Sequence, residues 1–484
     1  MALARPGETC WTRARADRVK FLVDGQAYFA ALRDALIGAR RSIHLLGWSF
    51  DPRVTLAPAP AGQDDLSPEI GHLLTRLVQD RPGLDVRLLV WRSALPISAT
   101  QGFFPHRARG WFRRTGVDFR LDGDVPLGAC HHQKIIVMDG RLAFVGGADV
   151  MPGRWDSPAH PDHDRERGGR WPPRHEVMAL VDGPAAVAFD GLFRARWAAS
   201  QDAMPDATPA PPADLQDPWP AGLAPDLANV EVAIARTLPA WRGEPGGREV
   251  AALSLEAIFA AKQLIYLENQ YFTWPLAEEA LAARLVEPNG PEVVLIVSEN
   301  SPSYFDRLTM DRARTKALWR LRASDVYGRF HALAPYAEGG RPIVVHAKVM
   351  IIDDLLVRIG SANLNNRSHG LDTEAELAIE ATNATERTAI AALRDRLAGH
   401  WVGRTGAELA AARSDGSLAA ALAGLDPGRR LRPASARRLS AVGEFIADFH
   451  LGDPAEASDS WRPALRRRKL LAERRMLRQS LVTR

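Results

Sequence analysis

The sequence predicts an α/β protein built from two similar domains that share one active site. Helical and strand-like patterns alternate in both halves, and the strands are runs of valine, leucine and isoleucine, which is typical of sheets covered by helices. One polar motif, H-x-K-x-x-x-x-D, occurs in each half, at His132–Asp139 and at His346–Asp353, 346 − 132 = 214 positions apart. A motif repeated at this distance indicates a duplicated domain.

The elements before each motif are duplicated as well. Residues 31–50 and 253–272 carry the same order of helical spacing and strand, with Ala35 matching Ala257 and Phe50 matching Phe272. A further helix and strand follow in each half. In chain order the predicted elements are a helix over 28–39, a strand over 42–50, a helix over 69–79, a strand over 85–91, a helix over 277–286 and a strand over 292–297.

The second motif reads as a phosphate pocket with a histidine in it. His346 and Lys348 are two residues apart, so a strand turns both side chains to one face. The apolar run 349–352 suits a buried strand, and a second strand over 355–359 brings Gly360 and Ser361 back beside it. Glycine allows close backbone approach there, and hydroxyl, amide and backbone N–H groups can all donate to an anion.

Lysine usage argues against a chance match. The chain has only six lysines, and two of them, Lys134 and Lys348, fall at the same position of the motif. Arginine supplies the rest of the basic charge. The two motifs are therefore interpreted as functional rather than as ordinary strand residues.

These motifs resemble those of the phospholipase D superfamily, in the branch that carries two motifs in one chain. The resemblance covers roughly residues 8–400. It implies two phospholipase D-like α/β sandwich domains related by a pseudo-twofold axis, with the active site at their interface. The flanking segments that narrow the match are Gly47–Asp51, Gly146–Asp149, Gly153–Asp156, Glu268–Phe272 and Gly360–Asn365.

The resemblance also assigns roles to the motif residues. His132 is expected to be the nucleophile that forms a phosphohistidine, and His346 the acid that protonates the leaving alcohol. Lys134 and Lys348 would stabilise the negative charge of the transition state. Asp139 and Asp353 complete the two catalytic motifs, but each lies at the far end of its strand and is expected to brace it. Two working histidines predict a bell-shaped pH dependence.

A carboxylate is expected to hold each histidine, because a working imidazole needs a partner that fixes its tautomer. An acidic residue recurs after each motif, before a predicted strand. Glu176 precedes the strand 177–181, and Glu374 precedes the strand 375–379. By analogy with the family, these two glutamates are the candidates.

Further residues are expected to bind phosphate or to line the cleft. The phosphate-binding candidates are Gly147, Ser361 and Asn363, and the lining candidates are Trp48, Arg154, Asn269 and Tyr271. The first half has Gly147 and Asp149 where the second has Ser361 and Asn363. A carboxylate near phosphate is unfavourable unless it is turned away or paired, and Arg154 is the candidate partner of Asp149.

No metal and no cofactor are expected. The loop from Gly153 to Trp171 gathers His160, Asp162, His163 and Asp164, but these residues lack a rigid ligand spacing and the resembling enzymes need no metal. An active-site rim is the preferred interpretation of this loop.

Composition is that of a globular protein, with 46% hydrophobic and 25% charged residues and a net charge of +4. Two cysteines, Cys10 and Cys130, cannot form a disulfide framework and favour a reducing compartment. Neither a signal peptide nor a transmembrane segment is evident in the sequence. The expected location is cytoplasmic or peripheral to a membrane, with leaderless secretion as the alternative.

The domain prediction has four parts. Residues 1–200 form the first phospholipase D-like domain, 201–228 a proline-rich linker, 229–405 the second domain, and 406–484 a basic, partly helical extension. A basic helix with a rough apolar side can lie on anionic lipid, although a solvated helix or attraction to nucleic acid stays open. The expected partner is a phospholipid surface, with no nucleic acid, and the chain is expected to be monomeric.

The predicted function is a phospholipase D that hydrolyses phosphatidylcholine-like glycerophospholipids to phosphatidic acid, with possible transfer to other alcohols. Three alternatives stay open at this stage. A cardiolipin synthase differs only in its second alcohol, a nuclease of the superfamily shares the chemistry, and a catalytically dead membrane-binding protein needs neither intact motif.

Overall fold

A computed structural model describes residues 2–56, 67–100, 102–169, 171–200, 217–413, 416–460 and 462–482. Most of the predicted linker, including Pro205, Pro209, Pro211 and Pro212, lies outside these ranges, and so does Trp461. The second half begins with a strand at Leu227, just inside the range predicted for the linker.

The first half alternates strands and helices as predicted. Its elements are β1 (Thr12–Val23), α1 (Asp24–Gly38), β2 (Ser42–Gly47), α2 (Ile70–Asp80), β3 (Asp85–Trp91), α3 (Leu95–Thr100), α4 (His106–Trp111), β4 (Asp118–Asp122), β5 (Ile135–Met138), β6 (Leu142–Gly146), β7 (Arg174–His175), β8 (Val177–Asp182) and α5 (Pro184–Ala199).

The second half repeats this order and then adds a C-terminal extension. Its elements are β9 (Leu227–Leu238), β10 (Gly247–Arg248), α6 (Glu249–Ala260), β11 (Leu264–Asn269), α7 (Pro275–Leu285), β12 (Glu292–Val297), α8 (Tyr304–Ser324), β13 (Phe330–Pro335), β14 (Val344–Val345), β15 (Lys348–Ile352), β16 (Leu356–Gly360), β17 (Glu374–Glu380), α9 (Ala384–Trp401), α10 (Gly406–Ala412), α11 (Leu418–Leu425), β18 (Leu431–Pro433), α12 (Ala441–Asp448), a 3-10 turn (Ala457–Ser460) and α13 (Pro463–Val482).

One sheet runs through both halves. Its strand order is β18-β13-β12-β11-β15-β16-β17-β9-β1-β8-β6-β5-β2-β3-β4. Equivalent strands follow in the same order on both sides of the central antiparallel pair of β1 and β9, in which Ala16 lies opposite Val230. The second half adds β18 at its edge. Because β2, β3 and β4 are parallel in one half and β11, β12 and β13 in the other, the pseudo-twofold relation holds strand by strand.

The motif strands are buried on both faces because their side chains alternate between two apolar cores. In β5, Ile135 faces a core shared by the two halves, whereas Ile136 faces a core of the first half. In β15, Val349 faces the shared core and Met350 a core of the second half. The continuous apolar runs of the sequence are therefore explained by strands covered on two sides.

The C-terminal helix α13 packs on α7 through ion pairs. Arg474 lies 2.7 Å from Glu278, and Arg478 pairs with Glu279. Leu470 is buried, whereas Leu471 and Met476 are exposed. Part of the basic charge of this helix is thus neutralised within the protein. No helix in the described part of the chain combines the length and the apolarity that crossing a bilayer requires.

Candidate active site

Each motif histidine is held by a glutamate from the other half. His132 Nδ1 lies 2.9 Å from Glu374 Oε2, and His346 Nδ1 lies 2.9 Å from Glu176 Oε2. Both glutamates are fully buried. A carboxylate at Nδ1 keeps the proton on that nitrogen, so Nε2 of each imidazole carries the lone pair in the neutral form.

Two short stretches of parallel β-pairing between the halves produce this crosswise pairing of histidine and glutamate. The His132 N–H donates to Thr373 O at 3.0 Å, one residue before Glu374. In the equivalent place, the His346 N–H donates to His175 O at 2.9 Å, one residue before Glu176. The backbone of each half therefore places its glutamate beside the histidine of the other.

The two lysines are buried among the same groups. Lys134 Nζ donates to His132 O and lies 3.3 Å from Asp149 Oδ2. Lys348 Nζ donates to His346 O and, at 3.3 Å, to Gln270 Oε1. Each ammonium group is thus tied to the backbone of its own motif histidine. His132, Lys134 and His346 lie just before the motif strands β5 and β15, not within a strand as the sequence predicted.

Burial and the nearby cations shift the pKa values of the side chains in this site. Desolvation lowers the pKa of His132 and of His346 well below the usual range, and the nearby lysines lower both further. Burial lowers the pKa of Lys348 to about 7 and raises the pKa of Glu374 to about 7. The neutral imidazole, the form that attacks phosphorus, is therefore favoured before substrate binds.

Gly147 allows the two motifs to approach each other. A Cβ atom on this residue would lie 2.9 Å from His346 O and 3.1 Å from Lys348 Cδ. The first half therefore has glycine, where the second half has Ser361, because the backbone of the other motif occupies the space. Its part in phosphate binding stays a prediction.

Ser361 and Asn363 differ in their hydrogen bonds. The Ser361 hydroxyl donates to Glu374 Oε2 at 2.5 Å, so it supports the carboxylate that holds His132. The Asn363 side chain is buried, and its Oδ1 accepts no hydrogen bond from the residues that the structure describes. Asn363 thus retains hydrogen-bonding capacity for a ligand.

Asp149 does not pair with Arg154, contrary to the sequence-based expectation. Its Oδ1 accepts the backbone N–H groups of Trp48 and Ser49, and its Oδ2 faces Lys134. Arg154 instead lies 3.5 Å from Glu176 Oε1. The buried carboxylate is thus compensated by backbone N–H groups at the end of β2 and by the Lys134 ammonium group.

Asp139 and Asp353 lie at the far ends of their strands. Asp139 accepts the N–H groups of residues 40–42, and Asp353 those of residues 262–264. Each aspartate thus fixes the start of the strand that pairs with its own motif strand, β2 or β11.

This geometry agrees with the comparisons with known proteins. A family model described as phospholipase D matches residues 35–165, and a model described as cardiolipin synthase, phospholipase D-like domain, matches residues 255–401. Each matched segment contains one motif. The chain belongs to the phospholipase D superfamily. Within that superfamily it is of the branch with two motifs in one chain.

Relatives in this superfamily carry two different names. The chain is 26% identical over 431 residues to phospholipase D A of Dictyostelium discoideum, covering 74% of this chain and 32% of that protein. It is 27% identical over 377 residues to cardiolipin synthase A of Pseudomonas entomophila, covering 75% of this chain and 64% of the relative. The chain thus spans about a third of the first relative and somewhat under two thirds of the second.

A solved phosphatidylserine synthase from Haemophilus influenzae shares the fold. The TM-score is 0.52 at 14% identity, and the match covers 80% of this chain and 88% of the synthase. The predicted α/β fold of two phospholipase D-like halves is therefore confirmed.

Two polar residues of this site were not among the predicted site residues. Arg174 Nη1 lies 3.9 Å from Glu176 Oε1, and burial lowers the pKa of Arg174 to about 9. Gln270 accepts a hydrogen bond from Lys348. Both residues belong to segments that the sequence already singles out, since Arg174 precedes His175-Glu176 and Gln270 lies within Glu268–Phe272.

The predicted lining residues serve different purposes. Trp48 is half-buried and stacks on Trp91 with 5.8 Å between ring centroids. Asn269 Oδ1 accepts the N–H groups of Tyr271 and Leu364, which ties it to the backbone. The Tyr271 hydroxyl donates to Asp306 Oδ2 at 2.9 Å and accepts from Gln270, the neighbour of Lys348.

Exposed apolar side chains follow the carboxyl ends of the parallel strands in both halves. Leu95 and Phe103 come after β3, and Tyr304 and Phe305, exposed to 71% and 60%, come after β12 at the start of α8. In α/β sheets this end of the strands is where ligands bind. We call these four residues the apolar rim.

Proposed function

We propose that this protein is a phospholipase D that hydrolyses glycerophospholipids of the phosphatidylcholine type to phosphatidic acid and a free head group. The crosswise pairing of His132 with Glu374 and of His346 with Glu176 carries the proposal. It supplies two imidazoles of defined tautomer to one cleft, which a two-step displacement at phosphorus requires.

In the first step His132 Nε2 attacks phosphorus, and the bond from phosphorus to the head-group oxygen breaks. His346 gives its Nε2 proton to the departing oxygen, so the head group leaves as a neutral alcohol. The bound phosphodiester is anionic, and its charge offsets the cations that lower the pKa of His346 in the free protein. Substrate binding thus favours the protonated acid.

In the second step His346, now neutral, takes a proton from water as that water attacks phosphorus. The bond between phosphorus and His132 Nε2 breaks, which releases phosphatidic acid and restores both imidazoles. Lys134 and Lys348 stabilise the added negative charge in both transition states. An alcohol in place of water would give head-group exchange.

The apolar rim supports a lipid substrate. Four large apolar side chains in water are costly unless a surface covers them, and they follow the ends of parallel strands in both halves. A membrane surface is the partner that this arrangement fits, with the chain acting as a monomer because both motifs lie in it. The basic C-terminal helix supplies positive charge for anionic lipid.

A cardiolipin synthase-type phosphatidyl transfer is the second candidate. The family model over the second half and the Pseudomonas relative carry that name. The two activities share the first step and differ only in whether water or the hydroxyl of a second lipid attacks.

Product analysis by mass spectrometry distinguishes them. Vesicles of phosphatidylcholine or phosphatidylglycerol are incubated with the wild type, with His346→Ala and with the control His163→Ala, which changes an exposed histidine. Phosphatidic acid, or phosphatidylethanol when ethanol is added, supports the proposal if His346→Ala abolishes it and EDTA does not. Cardiolipin from phosphatidylglycerol indicates the synthase, and DNA cleavage without lipid products indicates a nuclease.

A further inference from the structure

A second cluster of titratable side chains lies beside the active site and takes no part in the proposed chemistry. It consists of Asp24 at the start of α1, His160 in the loop after β6, His175 in β7 and His400 at the end of α9. Asp24, His160 and His175 are buried, and His400 is nearly so. Of these four residues, only His160 was considered as a metal ligand from the sequence. His163 and Asp162, which were considered with it, do not belong to this cluster.

The four side chains converge on one point. His160 Nε2 lies 2.8 Å from His400 Nε2, and His175 Nδ1 lies 2.8 Å from Asp24 Oδ1. Asp24 also lies 3.5 Å from His160 Nε2 and from His400 Nε2. A tetrahedral zinc ion with bonds of about 2.0–2.1 Å separates its ligand atoms by about 3.3 Å, which falls within this range of distances.

Buried carboxylates outside the cluster orient two of the imidazoles toward its centre. His160 Nδ1 lies 2.9 Å from Asp156 Oδ2, and Asp156 is ion-paired with Arg167. His175 Nε2 lies 3.0 Å from Glu268 Oε2. With a proton on each of these outer nitrogens, His160 Nε2 and His175 Nδ1 direct lone pairs inward, the arrangement by which proteins orient metal-binding histidines.

Asp24 provides an independent sign that a ligand belongs here. Its side chain is fully buried, and its Oδ2 accepts no hydrogen bond within the described part of the chain. If His175 Nδ1 carries a lone pair, it repels the Asp24 carboxylate 2.8 Å away. This repulsion is removed when a cation lies between the two groups or when the imidazole takes up a second proton. A divalent cation satisfies the carboxylate and all three lone pairs together.

We propose that Asp24, His160, His175 and His400 bind one divalent transition-metal ion, with zinc favoured by the three imidazoles and one carboxylate. All four ligands come from the protein, so the site is closed and its role is structural. Asp24, His160 and His175 belong to the first half, and His400 comes from the second half. The ion therefore joins the halves.

The site also supports the catalytic groups. His175 O accepts the N–H of His346 at 2.9 Å, and the Asp24 N–H donates to Glu176 O at 2.8 Å. Glu176 in turn holds the His346 imidazole. The ion is therefore a positioning element behind His346, and none of the chemical steps requires its direct contact with substrate.

Metal analysis of the full chain tests the proposal. The protein is prepared without a polyhistidine tag, desalted, and analysed by inductively coupled plasma mass spectrometry. We expect about one zinc ion per chain in the wild type and in His163→Ala, a histidine in the same loop that is exposed. We expect less than about 0.2 in His400→Ala and in Asp24→Asn.

Cobalt substitution covers the case in which these variants do not fold. Wild-type protein produced in cobalt-supplemented medium should show the intense visible d–d absorption of tetrahedral Co²⁺. The proposal would be overturned if the wild-type protein had less than about 0.1 metal ion per chain, no cobalt spectrum and no rise in Tm with added Zn²⁺. The cluster would then be held together by hydrogen bonds from protonated imidazoles. Bound metal without lipid turnover would support the metal site and reject the phospholipase activity. Lipid turnover without bound metal would support the phospholipase activity and reject the metal site.

Discussion

His132 of the first half is oriented by Glu374 of the second, with 2.9 Å between Nδ1 and Oε2. The two residues are 242 positions apart, and neither half by itself contains both. The nucleophile of the proposed mechanism is thus defined by the contact between the halves.

Glu374→Gln should lower kcat by about 10²–10³-fold, because an amide can donate to Nδ1 and so favours the wrong tautomer of His132. Steady-state kinetics on a short-chain phosphatidylcholine measures this. Glu244→Gln, an exposed glutamate, serves as the control. Unchanged kcat in Glu374→Gln would show that the carboxylate does not orient the nucleophile.

The pH dependence of kcat/KM should be a bell with its maximum near pH 7. Glu374 must be ionised, and because its pKa is raised to about 7, activity falls as the pH drops below 7. Lys348 must be charged, and because its pKa is lowered to about 7, activity falls as the pH rises above 7. A profile that rises steadily from pH 5 to 9 would contradict this assignment.

Lys348→Met should abolish activity and stabilise the fold. The Lys348 pKa falls from 10.5 to about 7 on folding, so burial of the charged ammonium costs stability fully below pH 7 and not at all above 10.5. We expect a gain on the order of 2 kcal/mol in the free energy of unfolding at pH 6.5, shrinking toward pH 10. Denaturant titration at the two pH values measures it, and a loss of stability at pH 6.5 would refute the interpretation.

Gly147→Ala should destabilise the protein by about 1–3 kcal/mol and reduce activity, because the added methyl group meets His346 O. The control is Gly38→Ala at the end of α1, where a Cβ meets no atom of the described residues within 4 Å. Thermal unfolding of both variants checks the difference. Equal Tm values would mean that the close approach of the motifs is not required.

Replacing Tyr304 and Phe305 by serine should reduce turnover of vesicles by about tenfold and leave turnover of a monomeric short-chain lipid within about twofold, if the apolar rim contacts the membrane. Tyr327→Ser removes an exposed aromatic residue that lies beyond the C-terminal end of α8 and provides the control. Equal losses on both substrates would indicate damage to the cleft instead.

Local sequence patterns were sufficient to predict the fold. The apolar runs around Ile135 and Val349 and the duplicated order of elements predicted two similar α/β halves, because strand period and helix spacing depend on neighbours in the chain. They could not predict which glutamate serves which histidine. That choice depends on the bridges at Thr373 and His175, which form only when the halves meet.

The same reason explains the other omissions. The sequence showed only that Gly147 stands where the second half has Ser361, whereas the backbone of His346 explains why this residue has no side chain. His400 lies at the end of a helix with no motif around it, and only the packing of α9 brings it within 2.8 Å of His160. Contacts between residues so far apart in the chain leave no periodic trace in a single sequence.

The central claim is that His132 and His346 act on one phosphodiester, as nucleophile and as acid and base. A phosphatidyl ester of p-nitrophenol tests it directly, because this leaving group needs no protonation. With His346→Ala we predict a burst of about one p-nitrophenol per chain and a phosphatidyl adduct on His132, found by mass spectrometry after an alkaline quench. No burst, or an adduct on a residue other than His132, would contradict the account.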